Sequence, residues 1–116
     1  MGELEKNDSY VIYGKGAVEY FINNCNVDKD KLILICGSGI GMSIVANKVD
    51  GVRCALVSNA DAASLTRRHN DSNVLALGAK YTDFELAKQI TYVWLTTEFE
   101  GGRHQRRVDK IMEIEK

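Results

Sequence analysis

The sequence contains no proline. No ring therefore fixes a turn or stops a helix, and boundaries must be set by glycines and polar clusters. Cysteine is scarce: three residues, an odd number, with no Cys-x-x-Cys pair. That argues against a disulfide framework and against a zinc or other metal site, and it suits a reducing cytoplasm. Charge of one sign is also missing, since 15 basic residues face 16 acidic ones for a net of -1. No global field exists to hold nucleic acid or an anionic membrane, so any anion site must be local. No apolar run approaches the roughly 18 residues of a membrane span. The opening MGELEKNDSY has no apolar signal-peptide core, so a cytoplasmic chain with no membrane partner is expected.

What is present is ordinary for a globular chain: 45% hydrophobic and 27% charged residues, values that exclude disorder. At this mass, about two thirds of the unfolded surface is buried on folding, enough for a real core. One domain over residues 1–116 is expected, with residues 1–9 frayed.

Val11, Gly14, Val18, Phe21, Ile22 and Cys25 follow helical spacing and predict a helix from about Tyr10 to Asn24, then a polar turn over Asn26 to Lys31. Leu32 to Cys36 is a short continuous apolar run, as in a strand buried on both faces of a parallel sheet. A glycine cluster leads into a short helix from Met42 to Val49. Val52 to Val57 and Asn73 to Leu77 read as two further strands. Between them lies a helix from Ala60 to Arg68, capped by Ser58 or Asn59. A longer helix from Asp83 to Glu98, capped by Thr82 or Asp83, shows an apolar stripe of Leu86, Ala87, Ile90, Val93 and Trp94. Gly101-Gly102 breaks the chain before a terminal helix from Arg103 to Lys116 with Val108, Ile111 and Met112 inward. Strands alternating with helices give an α/β fold with a parallel sheet, whose sites lie at the carboxyl ends of the strands. The three strands are expected to lie side by side in chain order.

Four features carry chemistry. Gly37-Ser38-Gly39-Ile40-Gly41 turns from strand to helix. Such a turn is either tight packing or a cradle of backbone N–H groups for a phosphate or an oxyanion. It is neither a dinucleotide fingerprint, because Met42 stands where a third glycine belongs, nor a phosphate loop ending in Gly-Lys-Ser/Thr. Cys36 closes the strand just before that turn, either as a small apolar plug or as a thiol activated by the helix start. His69, in Arg67-Arg68-His69-Asn70-Asp71, ends a helix and either caps it or serves a site. Arg103, Arg106 and Arg107 sit at a helix start, where positive charge opposes the macrodipole. They form either a solvated basic turn or an anion clamp. Cys25 and Cys54 read as packing residues.

Taken together and in this order, three stretches resemble the type B ribose-5-phosphate isomerases and their galactose-6-phosphate isomerase relatives. They run from Ile33 to Lys48, from His69 to Gly78 and from Glu98 to Gln105. The resemblance implies a three-layer, Rossmann-like sheet of order 2-1-3-4-5. It also implies interconversion of an aldose phosphate and a ketose phosphate without a metal or organic cofactor. Ribose 5-phosphate and ribulose 5-phosphate fit the Cys36-Gly37-Ser38-Gly39 pattern best. By the same resemblance, Cys36 is the general base and Ser38 shuttles a proton. His69 opens the sugar ring, and Asn70 contacts a substrate hydroxyl. The N–H groups of Gly37, Gly39, Ile40 and Gly41 hold the enediolate, and Arg103 and Arg107 hold the phosphate. Family sites form between two subunits, so a homodimer or larger homo-oligomer is implied, with the helix from Arg103 serving the partner.

The resemblance has one large departure. The family begins with a further strand, helix and strand, which carry a Gly-Ser-Asp-His-like turn, and Met1 to Asp8 does not supply them. Ser9-Tyr10-Val11 stands in place of Asp-Tyr-Pro. Without those two strands, the edge of Leu32 to Cys36 is left open, a hazard for a hydrophobic strand. Two functions follow: an isomerase, or a non-catalytic truncated homologue that binds a sugar phosphate or acts as an assembly subunit.

Overall fold

The computed structural model describes residues 3–6, 10–13 and 31–115. Strands β1 (Glu3–Lys6), β2 (Tyr10–Tyr13), β3 (Lys31–Cys36), β4 (Cys54–Leu56) and β5 (Val74–Gly78) form one sheet in the order β1-β2-β3-β5-β4. Helices α1 (Ile40–Ala46), α2 (Ala60–Asn70), α3 (Phe84–Thr96) and α4 (Arg103–Met112) alternate with the later strands. β2, β3, β5 and β4 run parallel, and β1 is antiparallel to β2.

The strand order corrects the expectation that the three strongest strands lie side by side in chain order. β5 takes the centre and β4 the edge. Every residue of β5 is buried, whereas β4 has only three residues and exposes Leu56. The strand that is apolar on both faces belongs inside, and the short, half-wet one belongs outside.

The amino-terminal expectations change as well. Tyr10–Tyr13 is a strand rather than the start of a helix, and it pairs with Lys31–Leu34. Tyr-Val-Ile-Tyr is all aromatic or β-branched, and pairing gives the polar backbone of β3 partners on that side. This outweighs the helical spacing and covers the edge expected to be open. Glu3–Lys6, expected to fray, pairs with β2. The rest of the expected helix, from Gly14 to Asn24, lies outside the described residues, as do Cys25 and the turn from Asn26 to Asp30.

Alternation along β3 builds two cores. Leu32 and Leu34 join Val74 and Ala76 on one face, under Met42 and Ala46 of α1. Ile33 joins Leu75 and Leu77 on the other, under Ala63 of α2 and Ile90 and Trp94 of α3. Three layers result, with α4 packed on α2. The caps are local: the Asn59 side chain accepts from the Ala62 N–H at 2.8 Å, and Asp83 accepts from Leu86 at 2.8 Å. α4 ends at Met112, short of the expected Lys116, and Ile111 is exposed rather than inward.

Two polar devices complete the frame. Buried Arg67 donates to the Asp71 carboxylate at 2.9 Å, to the Ser72 carbonyl and to the Thr97 carbonyl at 3.3 Å. The Trp94 indole N–H donates to the Ser72 hydroxyl at 2.8 Å. At the β4 edge, the Asn47 amide accepts from the Cys54 N–H at 2.8 Å and donates to the Cys54 carbonyl at 3.1 Å.

The turn after β3 touches the exit of β5 directly. A Cβ on Gly78 would run into the Ser38 carbonyl, while one on Gly37 would meet nothing within 4 Å. Gly78→Ala should therefore lower stability by about 1–3 kcal/mol, and Gly37→Ala should leave it nearly unchanged. Thermal melts of the two variants, compared with the parent, check this.

Candidate active site

At the carboxyl end of the sheet, Cys36 closes β3 half-buried. Its carbonyl accepts from the Ala79 N–H, and that of Gly37 from Lys80, both at 2.9 Å. These bonds tie the glycine turn to the exit of β5. Gly39 adopts φ +77, and a Cβ there would lie 2.9 Å from the Leu77 carbonyl carbon. Only glycine suits that position.

The glycines divide the two roles left open by the sequence. Gly39 and Gly78 serve tight packing, whereas Gly37 and Gly41 have free space beside them. The N–H groups of Gly37, Ser38 and Gly39 have no backbone acceptor among the described residues. The N–H of Ile40 is already used, donating to Ser38 Oγ at 3.2 Å. A set of unpartnered donors beside open space can take an anionic oxygen. A cavity of about 470 Å³ adjoins the turn, lined by Ser38, Ile40, Leu56, Ser58, Tyr81 and Thr82 among others.

The remaining predicted residues gather at the other end. α2 starts at the carboxyl end and runs back, so His69 and Asn70 sit beside the amino end of β5. Asp71 ends the helix at φ 46, and Arg53 donates to the Asn70 and Asp71 carbonyls at 3.2 and 2.8 Å. His104 and Val108 of α4 are buried, which leaves Arg103 and Arg107 facing outward, one turn apart. The His104 ring stacks on His69, with centroids 4.1 Å apart. Glu100 lies 3.4 Å from His104 and 3.2 Å from Arg68.

The Arg68 guanidinium holds the Glu100 carboxyl below the usual carboxylate range. Burial, helped by the His69 and Arg103 charges, pushes the His104 imidazole down. Sequence reasoning assigns no role to Glu100 or His104. Their spacing of four hints at contact, but nothing local ties them to His69.

Cys36 and His69 are thus brought to opposite ends of one sheet. They are separated by roughly the length of β5, about 13 Å at strand rise. Within one chain the two predicted groups do not meet.

The sequence profile of the ribose/galactose isomerases matches residues 1–111. The chain belongs to the ribose/galactose isomerase family. Ribose-5-phosphate isomerase B of Escherichia coli is 53% identical over 83 residues, covering 72% of this isomerase-family chain and 56% of that protein. A D-erythrulose-4-phosphate isomerase of Pectobacterium atrosepticum is 51% identical over 79 residues, 68% of this chain and 52% of the relative. The chain therefore spans little more than half the length of such relatives. The structure of ribose-5-phosphate isomerase B from Mycoplasma genitalium with bound ribulose 5-phosphate is similar, with a TM-score of 0.75 and 43% identity over 85% of this chain and 63% of that one. The α/β, Rossmann-like class expected for this isomerase-family chain agrees with that likeness. Among the described residues no helix is long and apolar enough to cross a membrane.

Burial pushes the Cys54 thiol up to about 12. At pH 8 only about one molecule in ten thousand would carry the reactive thiolate there. Iodoacetamide at pH 8 should leave Cys54 unmodified in the folded chain and label it after denaturation, as read by peptide mass spectrometry.

Proposed function

We propose that the chain is a sugar-phosphate aldose–ketose isomerase that interconverts ribose 5-phosphate and ribulose 5-phosphate, with each site closed by two copies. The observation that carries this reading is Cys36 beside a glycine turn in which the N–H groups of Gly37, Ser38 and Gly39 have no backbone acceptor among the described residues and Gly37 has open space beside it. A thiolate there takes the proton from C2 of the open aldose as electrons shift toward the C1 oxygen. The N–H groups of Gly37, Ser38 and Gly39 stabilise the negative oxygen of the cis-enediolate. Ser38 moves a proton between the two oxygens, and Cys36 returns its proton to C1. Hydrogen moves within one molecule, so the reaction as written needs no redox cofactor.

The second copy supplies what the turn lacks. His69 gives a proton to the ring oxygen as the C1–O bond breaks and takes one from the anomeric hydroxyl as the carbonyl forms, and Asn70 holds a hydroxyl. Arg103 and Arg107, on the outer face of α4, hold the phosphate. The separation of the two clusters within one chain supports a shared site in a homodimer or larger assembly, and relatives named for these sugar phosphates support the substrate class.

A coupled or NMR assay with ribose 5-phosphate tests the whole reading. The parent chain should turn over, and Cys36→Ser should lose about 10²–10⁴-fold in kcat with an unchanged melting curve. Cys54→Ala should keep its activity. Arg103→Ala or Arg107→Ala should weaken substrate binding by about tenfold or more. Mixing Cys36→Ser chains with Arg103→Ala chains should restore turnover, because a mixed pair carries one intact site. A parent chain that neither turns over nor binds the sugar phosphate would sink the proposal. Failure of the mixture alone would remove the shared site.

A further inference from the structure

We propose that Glu100 and His104 are positioning residues for His69, holding its ring in one plane and one tautomer for opening the sugar ring. This rests on the reading that His69 performs that step. The His69 and His104 rings lie 4.1 Å apart and within 13° of parallel. The His104 side chain is only 9% exposed, against 36% for His69. One face of His69 is therefore covered by a ring that packing holds still. Both Nε2 atoms approach the same oxygen, Glu100 Oε1, at 3.8 Å from His69 and 3.4 Å from His104.

The carboxylate itself is clamped. Its Oε2 accepts from Arg68 Nη1 at 3.2 Å, and the Glu100 N–H donates to the Arg68 carbonyl at 3.0 Å. Arg68 is in turn braced by the Ser64 hydroxyl at 3.0 Å.

The charges around the pair divide the work. Arg68 from α2 faces the Glu100 carboxylate, and His104 feels His69, Arg103 and Arg107 on one side of the balance and Glu100 on the other. Burial pushes the His104 imidazole down, with the neighbouring cations pushing the same way and Glu100 pulling against them. A fixed carboxylate beside Nε2 favours a hydrogen on that nitrogen, which leaves Nδ1 as the atom that gives a proton to the ring oxygen and takes one back from the anomeric hydroxyl. The partner of one ring nitrogen sets the state of the other, and a fixed ring plane removes a search from the reacting geometry.

The three side chains are also of metal-ligating type, with donor atoms within 4.8 Å of one another. With the hydrogen on Nε2, the His69 nitrogen nearest Glu100 has no lone pair to give an ion. The arrangement suits placing a proton better than holding an ion.

The test uses nitrogen-15 NMR of the full chain at pH 8 together with kinetics on two substrates. In the parent, His69 should show one tautomer with Nε2 protonated. Glu100→Ala should give mixed tautomers, and His104→Ala should broaden the His69 ring signals, while His104→Phe, which keeps a flat ring in the stack, should restore sharp ones. D-erythrulose 4-phosphate has no free hydroxyl placed to close a ring. Glu100→Ala should lose at least tenfold in kcat/KM on ribose 5-phosphate and several-fold less on the four-carbon compound.

Equal losses on both substrates, or an unchanged His69 tautomer, would overturn the proposal, as would tight zinc binding that perturbs both ring signals together. If the parent turns over neither substrate, the isomerase reading has failed. The tautomer measurement then decides the positioning role alone.

Discussion

The buried guanidinium of Arg67 is the interaction on which the rest of the described structure leans. It joins the end of α2, the link into β5 and the exit of α3 through Asp71, Ser72 and Thr97. It also lies over the Trp94 ring, at 5.9 Å. A buried charge stabilises a fold only when its partners are complete, and losing one partner is strongly destabilising. Here three different segments provide those partners, so none can shift without stranding the charge. The amino end of the sheet is crowded with cations as a result. Lys31, near the same indole, is pushed down by burial and by Arg67, and its ammonium reaches the Leu95 carbonyl at 3.4 Å. His69 lies two residues from Arg67, and its position on that end is inherited from this knot.

The opposite end obeys a different constraint. There the frame is backbone against backbone, with Gly39 and Gly78 removing the side chains that would keep the turn away from β5. One end of the sheet is thus held by charge and the other by close approach. The thiol and the glycine turn belong to the second, and the imidazoles and arginines to the first. A parallel sheet with α2 returning antiparallel to it makes that division unavoidable in a single chain.

How much of this was legible in the sequence depended on range. α2 and α3 were readable because Asn59 and Asp83 cap them and the apolar stripe of α3 is local. Cys36 and the glycine turn were readable because a strand, a turn and a helix follow one another directly. The strand order was not, since it is decided by competition between β4 and β5 for the centre, and burial on both faces settles that. Tyr10–Tyr13 misled because its residues fit a helical spacing with later ones, while the unpaired side of β3 offered a stronger partner. The Glu100–His104–His69 contact was hidden for a similar reason: it exists only once α4 packs on α2.

The amide of Asn47 carries a consequence for how the molecule behaves in a crowded solution. β4 is the last strand at its end of the sheet, where open N–H and C=O groups invite a neighbouring chain to add a strand and begin a fibril. Asn47 occupies both outward groups of Cys54 with the pattern that an incoming backbone would use. On a strand of only three residues, that leaves too short a row for a second backbone to grip. A single side chain thus stands in for the neighbour the edge lacks, and the sheet stops growing at the boundary of the fold.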